Sequence, residues 1–228
     1  MGGPGLFRER ERMNQAGKAL LDMCERLRSR APDEEPPAPV PLEGAELWRH
    51  LLAKGGVPAK YQAVPETVGL HPGAKGWKGV PPFLTFLGTV GAGKTWQATR
   101  LFGELRAAGW SGIWIDAAEA VERVRREIAT PDDGRTIDRL CGTALLLLDD
   151  LLAERDTEFA RDKLSFILRH RHAHERSTII TSNSVDRDGR PSLAGIESVE
   201  PRLASRLAEG LVIKLAGKDR RLSVKGNP

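Results

Sequence analysis

The spacing of apolar positions changes several times along the chain, and each change marks a boundary between elements. Leu6, Met13, Leu20 and Leu27 recur every seven residues with Ala16 and Met23 between them, which predicts one amphipathic helix over residues 6–29. Its apolar seam needs a partner, either the chain's own core or a groove on another protein. Pro32, Pro36, Pro37, Pro39 and Pro41 follow, and they disfavour both helix and sheet. An extended spacer at ~3.1 Å per residue would hold the helix well away from the core, which favours docking on another protein. The pattern thus divides the chain into a partner-docking helix (residues 1–30), a proline-rich linker (31–43) and a globular part (44–228).

In the globular part, Leu47, Trp48, Leu51 and Leu52 predict a short helix that Gly55 and Gly56 stop. Short apolar runs at 83–87, 113–115, 145–148, 178–181 and 211–215 then alternate with amphipathic stretches. One of these carries Ala98, Leu101, Phe102 and Leu105 and stops at Gly109; the next carries Ala117, Val121, Val124 and Ile128 and stops before Pro131. That alternation predicts an α/β fold with a parallel sheet buried on both faces.

Composition narrows the class only a little. A chain of 228 residues with 40% apolar content suits one full-sized domain plus a small appendage. Lys and Arg total 35 against 31 Asp and Glu, and the net charge of +4 permits a polyanionic partner without requiring one. The two cysteines, Cys24 and Cys141, are far apart, so neither a zinc ribbon nor a disulfide framework is encoded, and a reducing, cytoplasmic setting is expected. No apolar run reaches the length of a signal peptide or a membrane span.

The chemistry begins where the first apolar run ends. Gly88, Thr89, Val90, Gly91, Ala92, Gly93, Lys94 and Thr95 match G-x-x-x-x-G-K-[ST] and sit directly between a predicted strand and a predicted helix, with Trp96 opening the helix proper. Glycines at these positions let the backbone wrap a phosphate with its N–H groups pointing inward, and the helix N-terminus adds partial positive charge. Lys94 is expected to reach the β- and γ-phosphates of ATP, and Thr95 to hold Mg²⁺. The run ending at Leu148 is followed by Asp149 and Asp150, two acids at the carboxyl edge of a buried strand. Asp149 is the candidate Mg²⁺ ligand and Asp150 the candidate base for the attacking water. Asn183 ends the next apolar run and is expected to sense or place that water. Arg202 and Arg206 lie four apart on a short helix opened by Pro201, and either is a candidate arginine finger for a neighbouring subunit's ATP.

With these residues assembled, the chain resembles the AAA+ family, and within it the DnaC-type helicase loaders and the IstB-type transposition ATPases. The resemblance rests on Leu148, Asp149, Asp150 and Leu151 with Arg155 and Thr157, on Arg171 before Thr178, on Asn183, and on the Arg202 to Gly210 stretch. Gly56, Val57, Pro58 and Tyr61 match more weakly. It implies a P-loop sheet in the order 5-1-4-3-2, ATP shared between self-associating subunits, and Arg206 as the better match to the finger. It also implies a helicase loader that places a DnaB-type replicative hexamer on single-stranded DNA, with an IstB-like partner of a transposase as the alternative. Three departures stand out: Asp150 replaces the usual Glu, few residues follow the 211–215 run so that no C-terminal lid domain is expected, and no cysteine cluster precedes the core.

Other features carry less. Arg123, Arg125 and Arg126 are candidates for phosphate contacts with DNA or for an ordinary solvated face. His170, His172 and His174 cluster, but no third ligand accompanies the helical pair His170 and His174. A P-loop small-molecule kinase would need an arginine-rich lid, for which the stretch 186–191 is the candidate.

Overall fold

Six consecutive buried residues, Phe83–Gly88, form β1, the strand from which the rest of the sheet is laid out. In the computed structural model, residues 44–63, 69–129, 135–151 and 157–215 are described. The predicted N-terminal helix and linker lie outside the described residues. Before β1 come α1 (Gly44–Lys54), α2 (Ala59–Gln62) and a short turn of tighter helix at Pro72–Ala74. After it follow α3 (Lys94–Ala107), β2 (Gly112–Asp116), α4 (Ala117–Ala129), α5 (Arg135–Gly142) and β3 (Leu145–Asp149). The described chain then continues through α6 (Glu158–Ala173), β4 (Ser177–Ser182), α7 (Ala194–Glu197), α8 (Pro201–Glu209) and β5 (Leu211–Leu215).

The strands lie in the order β2-β3-β4-β1-β5 with every pair parallel. Read from the other edge, this is the 5-1-4-3-2 order that the resemblance implied. The three central strands β1, β3 and β4 are buried along their whole length, whereas the edge strands β2 and β5 are only partly so. That is why the central runs are apolar without alternation: both of their faces are covered. On one face Leu84, Phe86, Leu145, Leu147 and Ile179 meet Ala98, Leu101 and Phe102 of α3 and Trp48 and Leu52 of α1. The alternate residues Leu146, Leu148 and Ile180 are equally buried, and α4, α5, α6 and α8 pack on one another to complete the second helical layer.

Two contacts fix α1 and the residues after it. Gly103 lets α1 lie close on α3, since a Cβ there would sit 2.3 Å from the Trp48 ring. The carbonyl of Gly55 accepts the Trp114 N–H at 2.6 Å, so the turn after α1 runs along the outer edge of β2.

At the opposite end of the sheet from the strand tips, Arg171 is wholly buried. Its Nε donates to Thr178 Oγ1 at 2.8 Å and its Nη2 to the Ser177 carbonyl at 2.6 Å. Its Nη1 donates to the carbonyls of Leu140 and Thr143, both at 2.8 Å, and more weakly to Cys141 at 3.2 Å. The carbonyls at the end of a helix lack partners of their own and carry partial negative charge, so a guanidinium placed there satisfies them and is stabilised in turn. Burial pulls the Arg171 pKa down to about 9, which still leaves it charged at neutral pH. The side chain therefore ties the end of α5 to the start of β4.

β1, β2 and β3 extend slightly past their apolar runs, so that Gly88, Asp116 and Asp149 are themselves the last residues of their strands. Among the described residues β5 is the last element, and no helix is long and apolar enough to cross a membrane. Replacing Arg171 with Met keeps bulk but strands several buried acceptors, so we expect a loss of about 3 kcal/mol, read as a lower urea midpoint. An unchanged midpoint would show that the guanidinium clamp contributes nothing to folding.

Candidate functional site

The loop after β1 is built by glycine. Gly91 and Gly93 have positive φ of 78° and 92°, a left-handed conformation disfavoured for residues with a Cβ. A Cβ on Gly88 would lie 2.8 Å from the Leu215 carbonyl, so only glycine lets β5 pass beside the start of the loop. The Ala92 N–H returns to the Thr89 carbonyl at 3.2 Å, Val90 stands exposed at the tip, and Gly93 caps the N-terminus of α3. Lys94 follows in the first turn and is buried; its Nζ donates to the Thr89 carbonyl at 2.9 Å and to Asn183 Oδ1 at 2.6 Å.

The acids meet this loop at the same rim. Thr95 Oγ1 donates to Asp149 Oδ1 at 3.1 Å, and Thr181 Oγ1 donates to the same oxygen at 2.6 Å. Asp150 takes a positive φ of 59°; its N–H donates to Thr181 Oγ1 at 2.9 Å, and its Oδ1 accepts from Asn183 Nδ2 at 2.7 Å. Lys94, Thr95, Asp149, Asp150 and Asn183 are thus joined in one hydrogen-bonded cluster through Thr181, although they come from three separate stretches of sequence. Burial pushes the Asp149 pKa up from the ordinary 3.8 to about 6. Hydrogen bonds from Thr181 and Thr95 pull it back, and the charges of Asp150 and Asp116 push it further up. A hydroxyl and a carboxylate side by side are hard oxygen donors of the type that Mg²⁺ takes, and the buried Lys94 adds positive charge for a polyphosphate.

Known proteins resemble this chain over the stretch that carries the loop and the acids. The family model described as IstB-like ATP binding protein matches residues 82–188. The ATP-binding protein of insertion sequence IS1162 from Pseudomonas fluorescens is 33% identical over 99 residues, 43% of this chain and 42% of that protein. The replicative helicase loader DnaI of Bacillus subtilis (strain 168) is 27% identical over 101 residues, 44% of this chain and 32% of that protein. Among solved structures, the DnaC helicase loader superposes with a TM-score of 0.59 at 22% identity, covering 70% of this chain and 100% of that one. Over residues 82–188 this chain resembles the IstB-like ATP-binding family, and its fold is like that of the DnaC helicase loader. The matched stretch spans less than half the length of either curated relative, and the likeness to DnaC concerns the fold. The phosphate-loop geometry and the match to an ATP-binding family are of the kind that goes with nucleotide binding in general terms.

The remaining candidates stand apart from the rim. Trp96 lies one residue past Thr95, but its ring meets Tyr61 edge-on, with centroids 6.3 Å apart. Arg202 and Arg206 are on α8; Arg202 is exposed, and Arg206 Nη1 donates back to the Arg202 carbonyl at 2.9 Å, so within one chain neither joins the acid cluster. Arg123, Arg125 and Arg126 pair with Glu119 and Glu122 of their own helix, at 2.6 Å, 3.1 Å and 3.5 Å. These pairs make that helix face a mixed-charge surface. His170 and His174 stack at 4.4 Å, and burial lowers the His170 pKa to about 4. No group of three metal-ligating side chains is found among the described residues.

Two contributors were not foreseen from the sequence. Thr181 touches both acids, and a hint existed in its place two residues before Asn183, but only the strand register puts it next to Asp149. Gln97 accepts the His71 N–H at 2.7 Å and donates to the Gly69 carbonyl at 3.0 Å, holding the segment before β1 against the P-loop helix.

The raised pKa of Asp149 sets a pH dependence. Between about 3.8 and about 6 the folded chain holds the proton that the unfolded chain has released. The stabilisation this gives is complete below the lower value and is lost as pH climbs through the upper one. Asp149→Asn removes the buried charge, so without Mg²⁺ it should raise stability at neutral pH by on the order of 1–3 kcal/mol. The two proteins should converge near pH 4. Equal unfolding midpoints across the whole range would refute the burial argument.

Proposed function

We propose that this chain is a Mg²⁺-dependent ATPase that serves as a nucleotide switch for a DNA-acting partner, in the manner of the IstB-like group. The observation that carries the reading is the hydrogen-bonded convergence of Lys94, Thr95, Asp149, Asp150 and Asn183 at one rim. In this reading the backbone from Gly88 to Gly93 cradles the phosphates and Lys94 neutralises the β- and γ-oxygens. Thr95 and Asp149 hold Mg²⁺, which when bound supplies charge neutralisation at the phosphates. Asp150 takes the proton of the attacking water, and Asn183 orients both that water and Asp150. Self-association brings Arg206, with Arg202 as second choice, to the ATP of a neighbouring copy.

The family model and the IS1162 relative favour a transposase as the partner and DNA as the shared substrate. A helicase-loading role is the second reading, favoured by the similarity to DnaI and by the heptad helix and proline spacer of the sequence. There the partner is a DnaB-type hexamer and the nucleic acid is single-stranded. A kinase is disfavoured because Asp186 Oδ1 accepts from the N–H groups of both Asp188 and Arg190 at 2.9 Å, and Val185 bridges Pro191. That stretch is a tight, self-capped turn, unlike a mobile lid.

Lys94→Ala should lose ATP uptake in calorimetry, whereas Asp150→Asn should still bind but turn over at least ~100-fold more slowly. Phosphate release by Asp150→Asn at the normal rate would remove Asp150 from the reaction. Arg206→Ala should bind ATP normally, and its turnover should recover in part on mixing with Asp150→Asn subunits; no recovery would argue against a shared site. In co-purification with a transposase and with a replicative helicase as separate baits, the transposase should be retained in an ATP-dependent way. Retention of the helicase alone would transfer the proposal to the second reading.

A further inference from the structure

We propose that Thr181 is a positioning residue for the acid pair, a single hydroxyl that sets Asp149 and Asp150 at once. The proposal rests on the reading above, in which Asp149 is the magnesium-side acid and Asp150 the water-side acid. Thr181 is fully buried. A hydroxyl has one proton to give and two lone pairs to receive with. Here the proton goes to Asp149 Oδ1 at 2.6 Å, and a lone pair accepts the Asp150 N–H at 2.9 Å. The Thr181 carbonyl also accepts the Leu151 N–H at 2.8 Å, so the chain is gripped at Asp149, Asp150 and Leu151 by one residue of the neighbouring strand.

The grip has a task that the backbone alone does not perform. Asp150 sits at a φ of 59°, where residues with a Cβ are disfavoured, and this turn directs its carboxylate to Asn183 Nδ2. Two hydrogen bonds to Thr181, one on the Asp150 N–H and one on the next N–H, hold the chain in that conformation. On the other side, the Asp149 carboxylate accepts from Thr95 and Thr181 through the same oxygen, Oδ1. Two donors on one oxygen fix the rotation of the carboxylate, and Oδ2 would be the oxygen left to take a hydrated cation.

Burial by itself does not explain a threonine here. Thr85, on the adjacent strand β1, is just as buried, yet its hydroxyl has no hydrogen-bond partner. Thr85 fills space, so valine should replace it without consequence. At Thr181 the same swap keeps the shape and removes both contacts to the acids.

The test uses the full chain with Thr181→Val, Thr181→Ser and Thr85→Val, and Asp149→Asn and Asp150→Asn alongside. A fluorescent ATP analogue is titrated at a series of Mg²⁺ concentrations, steady-state hydrolysis gives kcat and KM, and urea midpoints report folding. Thr181→Val should bind the analogue without Mg²⁺ as the native chain does. It should need roughly tenfold more Mg²⁺ for the metal-dependent gain in affinity, and its kcat should fall roughly tenfold or more with little change in KM. Thr181→Ser should recover both properties to within about threefold, and Thr85→Val should match the native chain. Native Mg²⁺ dependence and kcat in Thr181→Val would overturn the proposal, as would a serine variant no better than valine. Should valine fold poorly, serine is compared with Thr181→Cys, whose thiol is a weak donor: serine clearly ahead supports the role, and parity overturns it. If Asp149→Asn and Asp150→Asn both keep full Mg²⁺-dependent turnover, the reading of the acid pair fails; if they lose it and Thr181→Val does not, this inference alone fails.

Discussion

The parallel pairing of β3 with β4 is the constraint on which the rest of the molecule depends. Its register sets Leu147 beside Ile179, and carried one pleat further it brings Asp149 alongside Thr181. A slip of one residue would turn Asp149 to the opposite face, away from α3 and its Thr95. The same pairing is secured from the far end by Arg171, which joins the start of β4 to the end of α5 just before β3. The phosphate loop then needs only to leave β1, which lies on the other side of β4, to arrive at acids already level with it.

Stability and chemistry pull in different directions at this rim. A carboxylate only 6% exposed is a poor choice for folding, and its raised pKa records the cost of desolvation. A left-handed aspartate next to it is a second unfavourable element. The sheet supplies the compensation through buried leucines and isoleucines on both faces, and through hydroxyls placed where the acids need donors. Local disadvantage concentrated at one edge, with the surrounding packing in agreement, is the pattern expected of a site kept for its reactivity.

Much of this was legible in the residues because the signals are local. Apolar runs, glycine stops and the spacing between Gly88 and Thr95 depend on neighbours a few positions away, and so do the ends of α3 and α4. Strand order and register depend on distant pairings; the order followed from the resemblance to AAA+ proteins, and the register was not readable. The short α5 and α7 escaped notice, since a helix of eight or four residues gives too few turns to display a period. Thr181 was hidden inside an apolar run, where threonine ordinarily reads as a strand former. Arg123, Arg125 and Arg126 left two readings open in the sequence, and their pairing with Glu119 and Glu122 on the same helix could be seen only in the structure.

The turn that follows α1 has a bearing on how copies of this chain can meet. With the Gly55 carbonyl seated on the amide of Trp114, the middle of the β2 margin has no donor left to offer a visiting strand. Stacking by continuous backbone zippering is closed off along that side. Any contact between copies there would have to be made by side chains, and such a seam could part without rupture of the sheet.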